Sequence, residues 1–236
     1  MTRSPLHWRG LRVPFITPWS AEAPGEPPIV PRRWGGPGIG YQDEHHTDRR
    51  DDVLWLRVPV APGRGTPHFA GVHALRQRQA MDRDLCQVCG GPTVGDRPDG
   101  RLLFLMHSTS GRPVSEGELS AAPPVHEACA REAVQECPHL RRGWTAALVK
   151  HTPAWGVAGI LYEPRTLRPR PTSSADSDGL DLVPYEDDAR LRWVLAARRV
   201  VALHGVEEVA LSALVGAAEQ RFSPGCAGIS SGPSGQ

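Results

Sequence analysis

Apolar positions along this chain fall into short runs separated by long polar stretches rich in proline and glycine. Val53-Leu-Trp-Leu-Arg-Val is built from branched and aromatic residues and predicts a strand, and Ile39-Gly-Tyr predicts a shorter one. Leu102-Leu-Phe-Leu-Met is a continuous apolar run of strand length, expected to be buried. Trp144 to Val149 and Val157 to Tyr162 predict two more strands, close enough in sequence to pair. Three segments read as helices. Val72 to Asp84 has Val72, Leu75 and Met81 on its apolar side and Arg76, Arg78 and Arg83 outside. The second runs from about His126 to Glu136 and is stopped by Pro138. The strongest helical pattern is Glu186 to His204, with Glu186, Asp187 and Asp188 at its N-terminal end, Arg198, Arg199 and His204 toward the other, and Gly205 as a cap. Leu191, Trp193, Val194, Leu195, Val200, Val201 and Leu203 cover most of its circumference, so burial is expected. Val206 to Gln220 reads as a further helix, or as a strand followed by one.

These elements predict an α+β fold, a small mixed sheet with helices. Residues 1–38 are expected to be a proline-rich arm without periodic structure, with Trp8, Trp19 and Trp34 giving it a means of lying on the core. Residues 39–220 form the α+β domain and 221–236 a disordered Gly/Ser tail. Asp43 to Asp52, with His45 and His46, is a charged turn. Arg165 to Gly179 is a polar loop expected to be disordered.

Composition dilutes the core without abolishing it. Of 236 residues 39% are hydrophobic, and Gly 25 and Pro 24 imply extensive loops. The net charge of +1 excludes a uniformly basic nucleic-acid binder but leaves room for a local basic face, for instance His73 to Arg83 with Arg141 and Arg142. All basic residues except Lys150 are arginine, a bias that reflects codon usage first. No apolar stretch is long enough to span a bilayer, and Met1 to Gly10 has no apolar leader segment, so a cytoplasmic protein without a membrane partner is expected. Five cysteines in such a chain favour metal binding over disulfides.

The candidate chemistry lies within residues 85–140. In Cys86-Gln-Val-Cys89-Gly-Gly, two intervening residues let both thiolates reach one ion, and a small residue after the second permits a tight turn. In Val125-His-Glu-Ala-Cys129, positions i and i+3 at a helix start share one face, so His126 and Cys129 can point at the same ion. The expected site is a structural Zn²⁺ held by Cys86, Cys89, His126 and Cys129. His126 is the least constrained of the four; Cys137, His139 and His107 are the alternatives. Helical rise places Cys137 roughly 12 Å along the axis from Cys129, too far to share the ion. Cys226 lies in the tail.

The order helix, knuckle, strand, loop, ligand-bearing helix resembles the treble-clef zinc fingers, over about Leu85 to Leu140. More widely, the chain from about Ile16 to His204 resembles an uncharacterised family of actinobacterial proteins. The residues that carry this are Ile16-Thr-Pro-Trp-Ser, Val53-Leu-Trp-Leu-Arg-Val, His73-Ala-Leu-Arg-Gln-Arg, Leu85-Cys-Gln-Val-Cys-Gly-Gly-Pro, Pro123-Pro-Val-His, Leu140-Arg-Arg-Gly and Arg192-Trp-Val-Leu-Ala-Ala. That resemblance implies a cysteine where this chain has His126.

Treble clefs serve nucleases, ribosomal proteins, transcription factors and adaptors, so the fold alone selects no activity. A nuclease of the HNH type needs an acidic residue and a histidine on its first strand and both an Asn and a His on its helix. Here the strand reads Leu105-Met-His107-Ser without an acidic partner, and the chain has no asparagine. His45 and His46, beside Glu44 and Asp48, read as a charged loop. Phosphate-binding and nucleophile-elbow motifs do not occur. The expectation is therefore a non-enzymatic zinc-binding accessory or regulatory protein whose partner is a protein or nucleic acid. A metal-dependent nuclease is the alternative.

Overall fold

A computed structural model describes residues 4–25, 27–108, 112–137, 140, 143–172 and 179–209. The N-terminal segment opens with a hairpin of β1 (Leu6–Trp8) and β2 (Leu11–Val13), turned through Arg9 and Gly10, both at positive φ. A second hairpin joins β3 (Ile29–Pro31) to β4 (Ile39–Tyr41). The segment expected to lack periodic structure thus carries three strands. They are only three residues long, and Pro31 stands at the end of its strand, where a missing N–H does least harm. Trp19 is buried with Trp8 set edge-on against it at 6.3 Å, whereas Trp34 is 83% exposed.

β5 (Arg49–Arg50) and β6 (Val53–Trp55) make a tight turn through Asp51 and Asp52. β6 covers only the first half of its apolar run. Leu56 still donates to Ala196 O at 2.8 Å before Pro59 breaks the pattern. Then follow α1 (Ala74–Asp82), β7 (Leu102–His107), β8 (Leu119–Ser120), α2 (Glu127–Glu136), β9 (Trp144–Val149), β10 (Ala154–Leu161), β11 (Asp181–Pro184), α3 (Asp188–Leu191), β12 (Val194–Ala202) and β13 (Glu207–Glu208).

The main sheet has the order β11-β10-β12-β6-β5, with β8 on the second half of β12. Its β12–β6 pair is parallel and the rest antiparallel, so the sheet is mixed and the class α+β. A second sheet has the antiparallel order β13-β9-β7. The expected pairing of β9 with β10 does not form. After β9 the backbone of Lys150 and His151 is tied to His204 (2.9–3.1 Å), and Ala202 bonds Pro153 O at 3.1 Å. The chain between the two strands therefore crosses from one sheet to the other.

The long helix expected over Glu186 to His204 is also absent. One turn, α3, is capped by the Asp187 carboxylate accepting from Arg190 N at 3.0 Å, and the remainder is β12. β12 is the longest strand and pairs along both edges. A strand covered on both faces and a helix buried all round produce the same unbroken apolar run. Val194, Val200 and Val201 are the β-branched residues that favour the strand. Gly159 of β10 permits the close approach to β12, since a Cβ there would lie 2.3 Å from Leu195 O.

Apolar packing joins the layers. Met81, Phe104, Val149, Val201 and Leu203 link α1 to both sheets. A separate cluster, Cys86, Val88, Leu103, Leu105, Val125, Cys129 and Ala130 among others, fills the space between α2 and the smaller sheet. No helix among the described residues is long and apolar enough to cross a membrane.

Candidate metal centre

The knuckle is built by backbone bonds that leave its sulfurs free to converge. Cys86 N donates to Gly91 O (2.7 Å) and Gly90 N to Cys86 O (2.8 Å). Gly90 makes the turn at φ +73, and a Cβ there would meet the Phe15 ring at 2.9 Å. Gly91 N points at Cys89 Sγ at 3.4 Å, the N–H···S contact that follows from a small residue after the second cysteine.

The other two side chains come from the start of α2. His126 is its N-cap in extended backbone conformation, and its carbonyl accepts the first helical bond from Ala130 N at 2.8 Å. Cys129 is one turn on and buried. Val125 N bonds Leu103 O at 2.8 Å, which anchors this helix start on β7. The knuckle and the helix thus meet, and Cys86, Cys89, His126 and Cys129 bring one ligand atom each to within 4.8 Å of one another. Such a cluster, with one imidazole among the thiols, can hold a metal ion.

The imidazole is oriented by a bond on its far side. His126 Nε2 lies 2.9 Å from Pro92 O, and a carbonyl can only accept, so Nε2 carries the proton. Nδ1, 3.2 Å from Cys89 Sγ, then offers its lone pair to the cluster. This carbonyl–histidine arrangement is the usual support of a metal-binding imidazole.

The three thiols carry charge unequally. A hydrogen bond from Cys129, with backbone N–H groups of Val88, Cys89 and His126, pulls Cys86 down to about 5 against its burial. Cys129, the donor in that bond, is pushed up, and burial raises Cys89. Only a cation at the centre would let all three ionise together, because a coordinating thiol is deprotonated by its metal. A positive charge is already close by. Arg12 of β2 pairs with Glu132 of α2 at 2.5 Å; despite its burial, Glu132 and the sulfurs of Cys129 and Cys89 hold its pKa above the ordinary value.

Of the alternative fourth ligands, Cys137 follows the last turn of α2 as a half-buried free thiol outside the group of four. His107 stands exposed at the end of β7, also outside it. His139 and Cys226 lie outside the described residues, as do Arg141, Arg142 and most of the Val206 to Gln220 segment.

Sequence reasoning missed a second polar assembly, beneath α1. Arg76, expected outside, is 4% exposed and grips the fully buried Glu22 carboxylate with both terminal nitrogens (2.6 and 2.7 Å), while also donating to Thr17 O at 2.8 Å. Glu22 further accepts from Trp19 N (2.8 Å) and Ala61 N (2.9 Å). Burial alone would raise this carboxyl; Arg76 and the two N–H groups overcome that and hold it at about 2. His73 caps α1 by accepting from Arg76 N at Nδ1 and donating from Nε2 to Pro59 O at 2.9 Å. Gln77, wholly buried, donates to Ala121 O and Arg199 O and accepts from Arg199 N, so it bonds α1 directly to β12. The one sequence signal was the weakly apolar face of this helix, since only small Ala74 and Ala80 join Met81 there.

Comparison with protein-family models, with curated proteins and with solved structures returns no match.

Proposed function

We propose that Cys86, Cys89, His126 and Cys129 bind one zinc ion and that the ion is structural. The observation that carries this is the convergence of four ligand atoms within 4.8 Å. Zinc–sulfur and zinc–nitrogen bonds of about 2.3 and 2.0–2.1 Å give tetrahedral edges of roughly 3.3–3.8 Å, which this cluster can reach by small side-chain adjustments. Three soft thiolates and one imidazole match zinc among the common divalent ions. Four protein ligands close the coordination sphere, as a structural site requires.

The order α1, knuckle, β7, loop, α2 supports a treble-clef-like unit, with one departure: β7 pairs with β9, which follows α2, rather than with a strand preceding it. On this reading the chain is a cytoplasmic accessory or regulatory protein without turnover of its own. It acts through contacts with a protein or nucleic acid, and the ion holds the contact surface in shape.

Elemental analysis of the tag-free protein tests the central claim. One zinc per chain is expected, lost in Cys86→Ser and weakened in His126→Ala. Zinc-free protein, after refolding with zinc, would sink the reading. Salt-sensitive DNA binding without cleavage would select nucleic acid as partner. Plasmid cleavage that His107→Ala abolishes would replace this reading with a metal-dependent nuclease.

A further inference from the structure

Where α1 meets β5 and β6 of the main sheet, cations outnumber anions. Asp82, the last residue of α1, has a side chain 10% exposed and ion-pairs with two arginines at 2.7 Å each, Arg50 of β5 and Arg199 of β12. One helical turn before Asp82, Arg78 lays its guanidinium over the Trp55 ring of β6 at 4.4 Å. Asp51 also approaches Arg50, but at 3.9 Å and with its side chain 62% exposed. Three guanidiniums thus share two carboxylates, and one of those is solvated.

Arg78 is the cation left without a partner of its own charge type. Among the described residues it has no hydrogen-bond acceptor and no ion pair. Its pKa is lowered, first by burial and further by Arg50, against the pull of Asp82. Arg12, Arg32, Arg57, Arg97 and Arg101 each have a carboxylate partner and stand above the ordinary arginine value. A half-buried cation without a counter-charge is what an incoming anion relieves. The platform beneath it is firm, because Trp55 is 3% exposed and packs in the apolar cluster with Val157 and Val183. Tyr185 packs against the same cluster and feels the charges of Arg50, Arg78 and Arg199, so it borders this face.

The geometry selects the anion. Three guanidinium forks from three elements offer more donors than one carboxylate accepts, and they suit the oxygens of a phosphate group. Arg50 is 51% exposed, so the face is open, whereas a small molecule is held in a concave site. A phosphate carried on a strand suits an open face, and a guanidinium plane with a tyrosine beside it is a surface on which unpaired bases stack. We propose that Arg50, Arg78 and Arg199 receive a backbone phosphate of a single-stranded nucleic acid. That partner is one of the two left open above, so the inference rests on the contact reading but not on the zinc ion.

The probe is a fluorescently labelled DNA single strand of mixed sequence, titrated with the full chain and followed by anisotropy at several salt concentrations. Wild type should bind, and more weakly as salt rises. Arg78→Gln should weaken binding at least about fivefold and make the salt slope shallower by up to about 1. Arg78 has no hydrogen bond or ion pair to lose, so this variant should fold, and Arg50→Gln, half exposed, gives a second measurement of the same loss. Arg9→Gln makes the same charge change in the turn of the first hairpin and should stay within about twofold of wild type. No binding by wild type, or equal weakening in all three variants, would overturn the inference. A glutamate oligopeptide bound as tightly as the strand, and through Arg78, would assign the face to an acidic protein and refute the phosphate. Zinc content of each sample keeps the two readings apart. Zinc-loaded wild type that does not bind the strand refutes the phosphate site alone, whereas zinc-free wild type refutes the metal reading and the Arg78 comparison still decides this face.

Discussion

The two polar assemblies that fasten the N-terminal segment to the rest of the molecule differ in how they hold it. At the metal centre, the knuckle carbonyls of Val88 and Gln87 accept from Phe15 N (2.9 Å) and Ile16 N (3.3 Å), and Arg12 reaches Glu132. A few residues on, Glu22 is locked to Arg76 and Trp19 N beneath α1. The first assembly brings thiols together that cannot all ionise without a cation. The second is complete in itself, with opposite charges and aligned donors. On the zinc reading proposed above, one fastening is conditional on a ligand and the other is not, so removing metal and removing charge should break different parts of the protein.

Stripping the metal should have the largest effect. Structural zinc in isolated finger peptides contributes about 10–16 kcal/mol of apparent binding energy, which is also folding energy. Prolonged treatment with a strong chelator at neutral pH should abolish the cooperative melting transition, and added zinc should restore it. If the melting curve is unchanged once elemental analysis shows zero zinc, the centre contributes nothing to folding and the two fastenings rank the other way.

Breaking the second assembly should cost less but leave the metal bound. Arg76→Met strands the Glu22 carboxylate in the core, a loss of about 3–5 kcal/mol; Glu22→Gln/Arg76→Met, which removes both charges, should recover most of it. Denaturant midpoints measure the cycle and zinc content accompanies it. A double variant no more stable than Arg76→Met would mean that the ion pair is not the source of the loss.

What could be read from the sequence divides along the same line. The cysteine and histidine spacings are local, and each pair is set by one turn of backbone. Once the knuckle and the start of α2 were recognised, the cluster followed. The Glu22–Arg76 pair spans 54 residues and Gln77–Arg199 spans 122, and nothing in either local pattern marks them. Arg76 looked like a surface residue because its charge is compensated by a partner from another segment. The failure at β12 has a different origin. Acidic residues at one end and basic at the other imitate a helix dipole, and an apolar run without alternation carries no period to decide between strand and helix. β7 succeeded on the same kind of run because it is short and bounded, whereas Glu186 to His204 is long enough for a helix.

Acid sharpens the contrast further. His73 is fully buried and neutral, its pKa lowered chiefly by burial. An unfolded chain binds that proton first, near the ordinary His value of about 6.5. The contribution is therefore full above that pH and is lost as pH falls below it toward the folded value. Glu22 adds a second loss between its ordinary value of 4.5 and about 2. Because acid also competes for zinc thiolates, the test is the difference between wild type and His73→Gln. The wild-type excess should shrink from pH 7 to pH 5.5, by up to about 1.4 kcal/mol per pH unit. An excess constant over that range would mean that His73 binds its proton equally well folded and unfolded, so that burial does not lower it.

The smallest effect should come from His126→Cys. His126 is the one ligand whose orientation depends on a bond outside the cluster, Nε2 to Pro92 O, and cysteine forgoes that bond while supplying a thiolate directly. A tetrahedral set of four thiolates accepts zinc as readily as three thiolates with one imidazole. The variant should keep one zinc per chain and melt close to wild type, whereas His126→Ala, leaving the fourth position to water, should bind more weakly. The added negative charge falls near Arg12, already held charged by Cys89, Cys129 and Glu132, so its guanidinium has the position to compensate. Combining His126→Cys with Arg12→Gln separates the two contributions. If the pair loses zinc that each single variant retains, Arg12 stabilises the anionic centre. Full retention in the pair would confine Arg12 to holding β2 on Glu132.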